Sequence, residues 1–455
     1  MAQAHRSVVK DPAKAFISTW RTSIVYTGST ANNQIKLPLE VAGTYRFTVQ
    51  WGDGTSNLIT TWNQAQTTHT YPAPGDYTVT ITGYLKGWDF GGGGAVAPTT
   101  GDMRKLLTIT QFGCLRLVTH LDFFPAPSPI WGTFYGCTNL TLTGVTDTPN
   151  FKGTTSTQGF LRLATSIINI PNINKWDVSK IEIFKNMLRE MPLFDGNVGN
   201  WNTSSALNFF GLFNGSTVTA PYGSFTNGGS DSIKDWNVSK VTTMLQTFNM
   251  QPKFNINIGS WDVSSVSNFQ SMFNSFSGAS GPYISMFNNG GSSSIGNWNT
   301  SSATNMYGMF SGATVFNQNI GNWDVSNVTG MGYMMQSRDF NNGGSPDINN
   351  WDVRKVTSMS RLFQNGFSFN QPINNWKVPL VTDFVNFMNE SGVSTPYAFS
   401  VINYSNFLIA LAAQPVKPNI SLRVNQYYNS SCLAARAILA AAPNNWTFVD
   451  KGLQP

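Results

Sequence analysis

Charge is what this sequence has least of. Asp, Glu, Lys and Arg together make up 11% of it, against roughly 25% in ordinary soluble domains, so its exterior must be built from neutral polar groups. Between Phe254 and Ser337 there is no Lys or Arg, and Asp262 and Asp324 are the sole acids. The formal net charge of +6 therefore has no basic stripe along that stretch, which argues against a groove that tracks a nucleic-acid backbone. Cysteine is scarce too: Cys114, Cys137 and Cys432 give no disulfide framework and no zinc spacing, and read as small buried apolar residues. No segment approaches the ~20 apolar residues of a membrane span, so membrane insertion is not expected. The start, MAQAHRSVVKDPAKAFISTW, lacks the apolar stretch of a secretion leader. No cofactor or metal motif stands out.

What is present begins with alternation. IKLPLE, TYRFTVQ, NLITTW and DYTVTIT, between residues 33 and 83, alternate as half-buried strands do, with AG, GDG and PAPG turns between them. WGDGTS at 51–56 followed by HTYPAPGDYTVTIT at 69–82 resembles the polycystic-kidney-disease (PKD) type of immunoglobulin-like domain. Asp53 reads as a turn residue, since no calcium-loop spacing surrounds it. His69 reads as structural, because no carboxylate or Ser neighbour in sequence suggests a relay. The run GWDFGGGGAVAPTTGD at 87–102 marks a module boundary.

Beyond it lies a repeat. Tryptophans recur at Trp176, Trp201, Trp236, Trp261, Trp298, Trp323, Trp351 and Trp376, spaced 25, 35, 25, 37, 25, 28 and 25. The unit is thus 25 residues, with insertions in alternate copies. Three before each Trp stands Ile or Val; five after it Ile, Ala or Val; eight after it Phe or Met; twelve after it Leu, Phe or Met. Columns of one apolar size are what stacked copies require, each covering a face that one unit cannot bury alone. The VTxMxxMF stretch reads as a short strand around VTxM followed by a turn, because it is β-branched and crowded with weak helix formers. The position after Trp holds Asp or Asn interchangeably in seven copies and Lys377 in the last, so it needs a turn hydrogen bond rather than a negative charge.

Words such as FNQNIGNWDVSNVTGMGYMM at 316–335 resemble the BspA-like leucine-rich-repeat surface-protein family. Upstream, LLTITQFGCLRL and FYGCTNLTLT look like irregular coils of the same kind; downstream, residues 404–452 look like a closing cap reading helix, strand, helix, strand. The resemblances imply a mainly β fold: an N-terminal immunoglobulin-like (PKD-type) β-sandwich, then a leucine-rich-repeat-like solenoid with an α/β C-terminal cap. The implied parts are an N-terminal arm at 1–21, a PKD-like sandwich at 22–90, a Gly-rich linker at 91–103, irregular leading repeats at 104–172, eight Trp-marked repeats at 173–398 and the cap at 399–455.

Function is then expected from the exterior. The insertions APYGSFTNGGSDSI, GPYISMFNNGGSSSI and FNNGGSPDI recur in alternate units. Either they project as a row, making Tyr222, Phe225, Tyr283 and Phe287 partner contacts, or they tuck back as local packing. The leading expectation is a non-enzymatic structural protein of a virion, that of a bacteriophage: a fibre, decoration or appendage. It would serve adhesion or display, contacting other virion proteins and a host surface glycan or protein, with a homo-oligomer allowed. A bacterial cell-surface adhesin is the alternative. A polysaccharide-degrading enzyme is third, since its paired carboxylates are wanting here.

Overall fold

The computed structural model describes residues 15–91, 101–117, 132–215, 222–275, 285–388 and 397–455. The chain divides into two compact units, Met1–Ala206 and Leu207–Pro455.

In the first unit, alternating apolar residues turn the segment from Ala15 to Arg116 into strands. These are β1 (Phe16–Arg21), β2 (Gln34–Lys36), β3 (Leu39–Gln50), β4 (Ser56–Ile59), β5 (Thr68–Thr70), β6 (Asp76–Trp88), β7 (Leu106–Gln111) and β8 (Leu115–Arg116). One sheet runs β4-β3-β6-β1-β7, with β8 beside β6, and β2 pairs with β5 as a separate ribbon. Phe16 and Trp20 of β1 pack against Trp88, their ring centroids 5.0 and 6.3 Å from it. The GDG turn requires its first glycine: Gly52 has φ +90°, and a Cβ there would lie 2.6 Å from the Thr78 carbonyl oxygen. Under the sheet, the Lys105 ammonium is fully buried. It donates to the carbonyls of Thr30, Ala31 and Gln34 and to Thr30 Oγ1. Fully buried Asp102 accepts from Thr30 and Lys36.

Two boundaries differ from expectation. Residues 16–21, taken with the N-terminal arm, form β1, a strand held between β6 and β7 because Phe16, Ser18 and Trp20 all face inward. LLTITQFGCLRL, taken as leading repeats, supplies β7 and β8 of the same sheet. The rest of the arm and most of the Gly-rich linker lie outside the described residues.

The expected fold class is also corrected. Among the described residues helix, 3-10 turns included, accounts for 13% and strand, single bridges included, for 18%. Among the described residues no closed leucine-rich-repeat-like solenoid is formed. Within the Trp-marked units of the second unit each copy gives one bridging residue instead of a strand: Asn208, Thr243, Asn268, Asn305, Gly330, Ser358 and Asp383 pair in parallel succession. Three residues past each bridge the backbone turns left-handed, at Gly211, Gln246, Ser271, Gly308, Tyr333, Arg361 and Asn386, with φ between 53 and 61°. No strand continues through such a residue.

Backbone hydrogen bonds are satisfied in another way. Met244, Gln246, Phe248 and Met250 donate to Asn268, Gln270, Met272 and Asn274 of the following copy, while Thr247 and Asn249 close their own turn on Met244 and Gln246. Alternate N–H groups thus bond outward and inward, and the loop needs no sheet.

The C-terminal residues hold α1 (Val401–Ala412), β9 (Ser421–Arg423), α2 (Leu433–Ala440) and β10 (Thr447–Val449). β9 and β10 pair in parallel. Ser400 opens α1 by accepting from the Asn403 N–H.

Candidate functional site

The apolar columns face inward. All eight marker indoles are at most 4% exposed. In the first unit Trp176 stacks on Trp201; in the second Trp236 stacks on Trp261, Trp298 on Trp323 and Trp351 on Trp376, with centroids 5.9 to 6.3 Å apart. The indole N–H of Trp201, Trp261, Trp298, Trp323, Trp351 and Trp376 also finds an acceptor one copy back. Trp261, Trp323 and Trp376 donate to the carbonyls of Ile233, Ile295 and Ile348 at 2.9 to 3.0 Å. The Ile column therefore supplies carbonyls as well as bulk.

Phe225 and Phe287, read from the sequence as contact aromatics, are each 1% exposed. Phe287 stacks 3.7 Å from Phe273 and about 6 Å from Phe254 and Phe316; Phe225 stacks 4.0 Å from Phe213. Their faces are used up by neighbouring rings, so neither can present itself to a partner. Tyr222 is half-buried, and Tyr283 lies outside the described residues. The inserted segments fold back, and the physical reason is a second phenylalanine column. Phe225, Phe254, Phe287, Phe316, Phe340 and Phe369 all belong to it, the last four stacked in succession 6.0 to 6.1 Å apart. Its signal was in the sequence: a Phe stands 7 residues before Trp in short copies and 11 before it in long ones.

The four extra residues act as a plug. Asn289 and Asn342 are fully buried and left-handed, φ 52°. Each accepts from a backbone N–H of the preceding copy, Ile258 or Ile320 at 2.8 Å. Each amide then donates to a serine carbonyl of its own loop, Ser292 or Ser345. A ladder runs beside them: Asn288 accepts from Asn317 N–H, Asn317 from Asn341, and Asn341 from Asn370.

What faces outward is a set of neutral rows. Thr242, Ser267, Thr304, Thr329, Thr357 and Thr382 each donate a hydroxyl to the carbonyl of the row's previous member or, for Thr242, to Leu207. The methyl groups and remaining lone pairs are left to solvent. Carboxylates of the repeats close turns. Asp262 accepts from the Ser264 N–H and Asp324 from that of Ser326, and the Ser264 bonds hold Asp262 below the usual carboxylate range. In the last copies cations enter this exterior: Asn349, Asn350, Asp352, Arg354, Asn375 and Lys377 line a shallow polar notch with the edge of Trp351.

One constellation in the first unit was missed. Asp53 Oδ2 lies 2.7 Å from His69 Nε2, although 16 residues separate them. The imidazole stacks 4.6 Å over Trp51 and meets Tyr71 edge-on. Burial pushes the Asp53 carboxyl up, but hydrogen bonds from Thr55 and His69 outweigh it and bring it down to about 2. His69 thus has a carboxylate partner after all, brought to it by the GDG turn and the β2–β5 ribbon. Both Asp53 oxygens are taken, one by His69 and one by Thr55, which makes the pair a turn clamp. Among the described residues no group of His, Cys, Asp or Glu is placed to hold a metal ion, and no helix is long and apolar enough to cross a membrane.

Comparison with curated proteins and with solved structures gives no match. A family profile does match, over the Trp-marked units that carry the BspA-like resemblance. Described as "Mycoplasma protein of unknown function, DUF285", it covers residues 155–226, 222–288 and 282–396, more than half of the chain, which therefore belongs to that family.

Proposed function

We propose that this chain is a non-enzymatic structural protein displayed on the surface of a virion, where it mediates adhesion or display. The observation that carries the reading is the exterior of the repeats. Its hydroxyls and carboxylates are bound into copy-to-copy hydrogen bonds or Asx turns, giving a regular neutral face for contact rather than a pair of carboxylates poised for acid–base work. The contacts would be with other virion proteins and with a host surface glycan or protein. Kinship of residues 22–90 with PKD-type surface modules belongs to the same proposal, supported by the GDG turn and its required glycine.

A second reading is an adhesin of a bacterial cell surface, which the Mycoplasma description of the family favours. Immunogold labelling of purified particles and of intact cells separates the two. Label on particles supports the first, and label confined to the cell envelope supports the second. Release of sugar from host polysaccharide by the purified protein would overturn both.

A further inference from the structure

We propose that the exterior of the copies opened by Trp298, Trp323, Trp351 and Trp376 is a binding platform for a neutral hexose-containing glycan, built on Tyr307, Tyr333, Arg361 and Asp383. This rests on the adhesion reading and names the ligand class.

The argument starts from backbone conformation. The left-handed position after each bridge is taken by glycine in two copies, Gly211 and Gly308, at no steric cost. Tyr333 and Arg361 occupy the same position with φ 59 and 55°. Non-glycine residues also hold it at Gln246, Ser271 and Asn386; Tyr333 and Arg361 are the two bulkiest, and they stand in adjacent copies. The cluster is compact. Tyr307 and Tyr333 have ring centroids 5.2 Å apart, the Arg361 guanidinium lies 5.1 Å from the Tyr333 centroid, and Arg361 Nη1 donates to the Tyr333 hydroxyl. Tyr307 is 39% exposed. Gly332 lies beside it, where a Cβ would come within 3.1 Å of the ring, so the chain is pared back to seat the tyrosine.

Polar groups converge on the same place. Arg361 Nε is buried without a hydrogen-bond partner, so the stem of this side chain is enclosed and its Nη end is the part engaged with Tyr333. Burial raises the Tyr307 hydroxyl, and both Arg361 and Asp383 stand close enough to act on it. Asp383 Oδ1 accepts from the Val385 N–H, leaving Oδ2 with a long 3.4 Å bond from Ser358.

An aromatic face for the apolar side of a sugar ring, with a guanidinium and a carboxylate for adjacent hydroxyls, matches a hexose. Cation and anion side by side give no net preference for a charged ligand. A protein partner fits less well: beyond the two rings the exposed apolar side chain beside the cluster is Val385, which falls short of the apolar centre a stable protein interface needs.

The test probes the full-length chain against immobilised neutral and acidic glycans, with affinity for the best binder measured by calorimetry. Neutral hexose glycans are expected to bind. Tyr307→Ala and Tyr333→Gly are each expected to weaken binding by about tenfold or more. The melting temperature of Tyr333→Gly should not fall, because glycine suits that backbone. Asp383→Asn, which keeps the turn acceptor, should shift preference toward acidic glycans. Unchanged glycan binding in both tyrosine variants overturns the platform. So does capture of a host protein through these residues with no glycan retained; adhesion of the wild type to host cells would then still stand. Glycan binding lost in the variants, from a protein that adheres to no cell, would uphold the platform and remove the adhesion reading.

Discussion

Phe287→Ala distinguishes a packing residue from a contact residue. The ring is 1% exposed, lies 3.7 Å from Phe273, and has Phe254, Phe310 and Phe316 about 6 Å away. Truncation removes the buried side chain and leaves a hole between stacked rings that backbone bonds to both neighbouring copies keep from collapsing. Core Phe→Ala changes cost about 3–5 kcal/mol, and the loss of aromatic stacking places this one toward the upper end, at about 4 to 5 kcal/mol. Urea unfolding followed by tryptophan fluorescence reads the change, since the indole pairs Trp261 and Trp298 bracket the site. The comparison variant is Thr329→Ala, which loses one exposed hydroxyl bond of 3.2 Å and should cost no more than about 1 kcal/mol. Were Phe287→Ala to unfold within about 1 kcal/mol of the wild type while losing adhesion, the inserted segment would be a contact loop and the second phenylalanine column would not be structural.

Asn342→Ala should cost about 2–4 kcal/mol by the same assay, because it strands the Ile320 N–H and the Ser345 carbonyl and forces alanine into a left-handed turn; Asn342→Gly should recover part of that. Lys105→Met should destabilise the first unit by about 3–5 kcal/mol in calorimetry, since it leaves the fully buried Asp102 without its cation and three carbonyls without a donor. The first unit should also be less stable in alkali than in mild acid. Burial raises Glu40 to about 8 and Asp89 to about 7. Stability from a carboxyl raised on folding is complete below its unfolded value near 4 and is lost as pH climbs through 7 to 8. Calorimetry from pH 5 to pH 9 should show a falling melting temperature, flatter in Glu40→Gln; a rise would refute the assignment. Asp53 works in the opposite sense, its contribution lost only as pH falls toward 2.

Much of this was written in one dimension. The period of 25 and the columns around Trp are visible because every copy must bury the same face against its neighbours, so each position keeps one size. The Asp/Asn exchange after Trp showed that a hydrogen bond, not a charge, was wanted, and the Asx turns at Asp262 and Asp324 are that bond. The second phenylalanine column escaped notice because its distance from Trp alternates between 7 and 11. Four inserted residues hid the register.

The sequence by itself thus determined the repeat, its apolar inventory and its neutral exterior, all of which follow from composition and spacing. Only the tertiary structure decided how those residues are used. A left-handed turn three residues past each bridge ends the strand that β-branched residues alone would have continued, so copies meet through one bridge and alternate backbone hydrogen bonds instead of a sheet. That turn also sets Tyr333 and Arg361 beside Tyr307 from a different copy, and the β2–β5 ribbon carries His69 to Asp53 across 16 residues. Such proximities depend on where the backbone folds back, which local pattern does not encode.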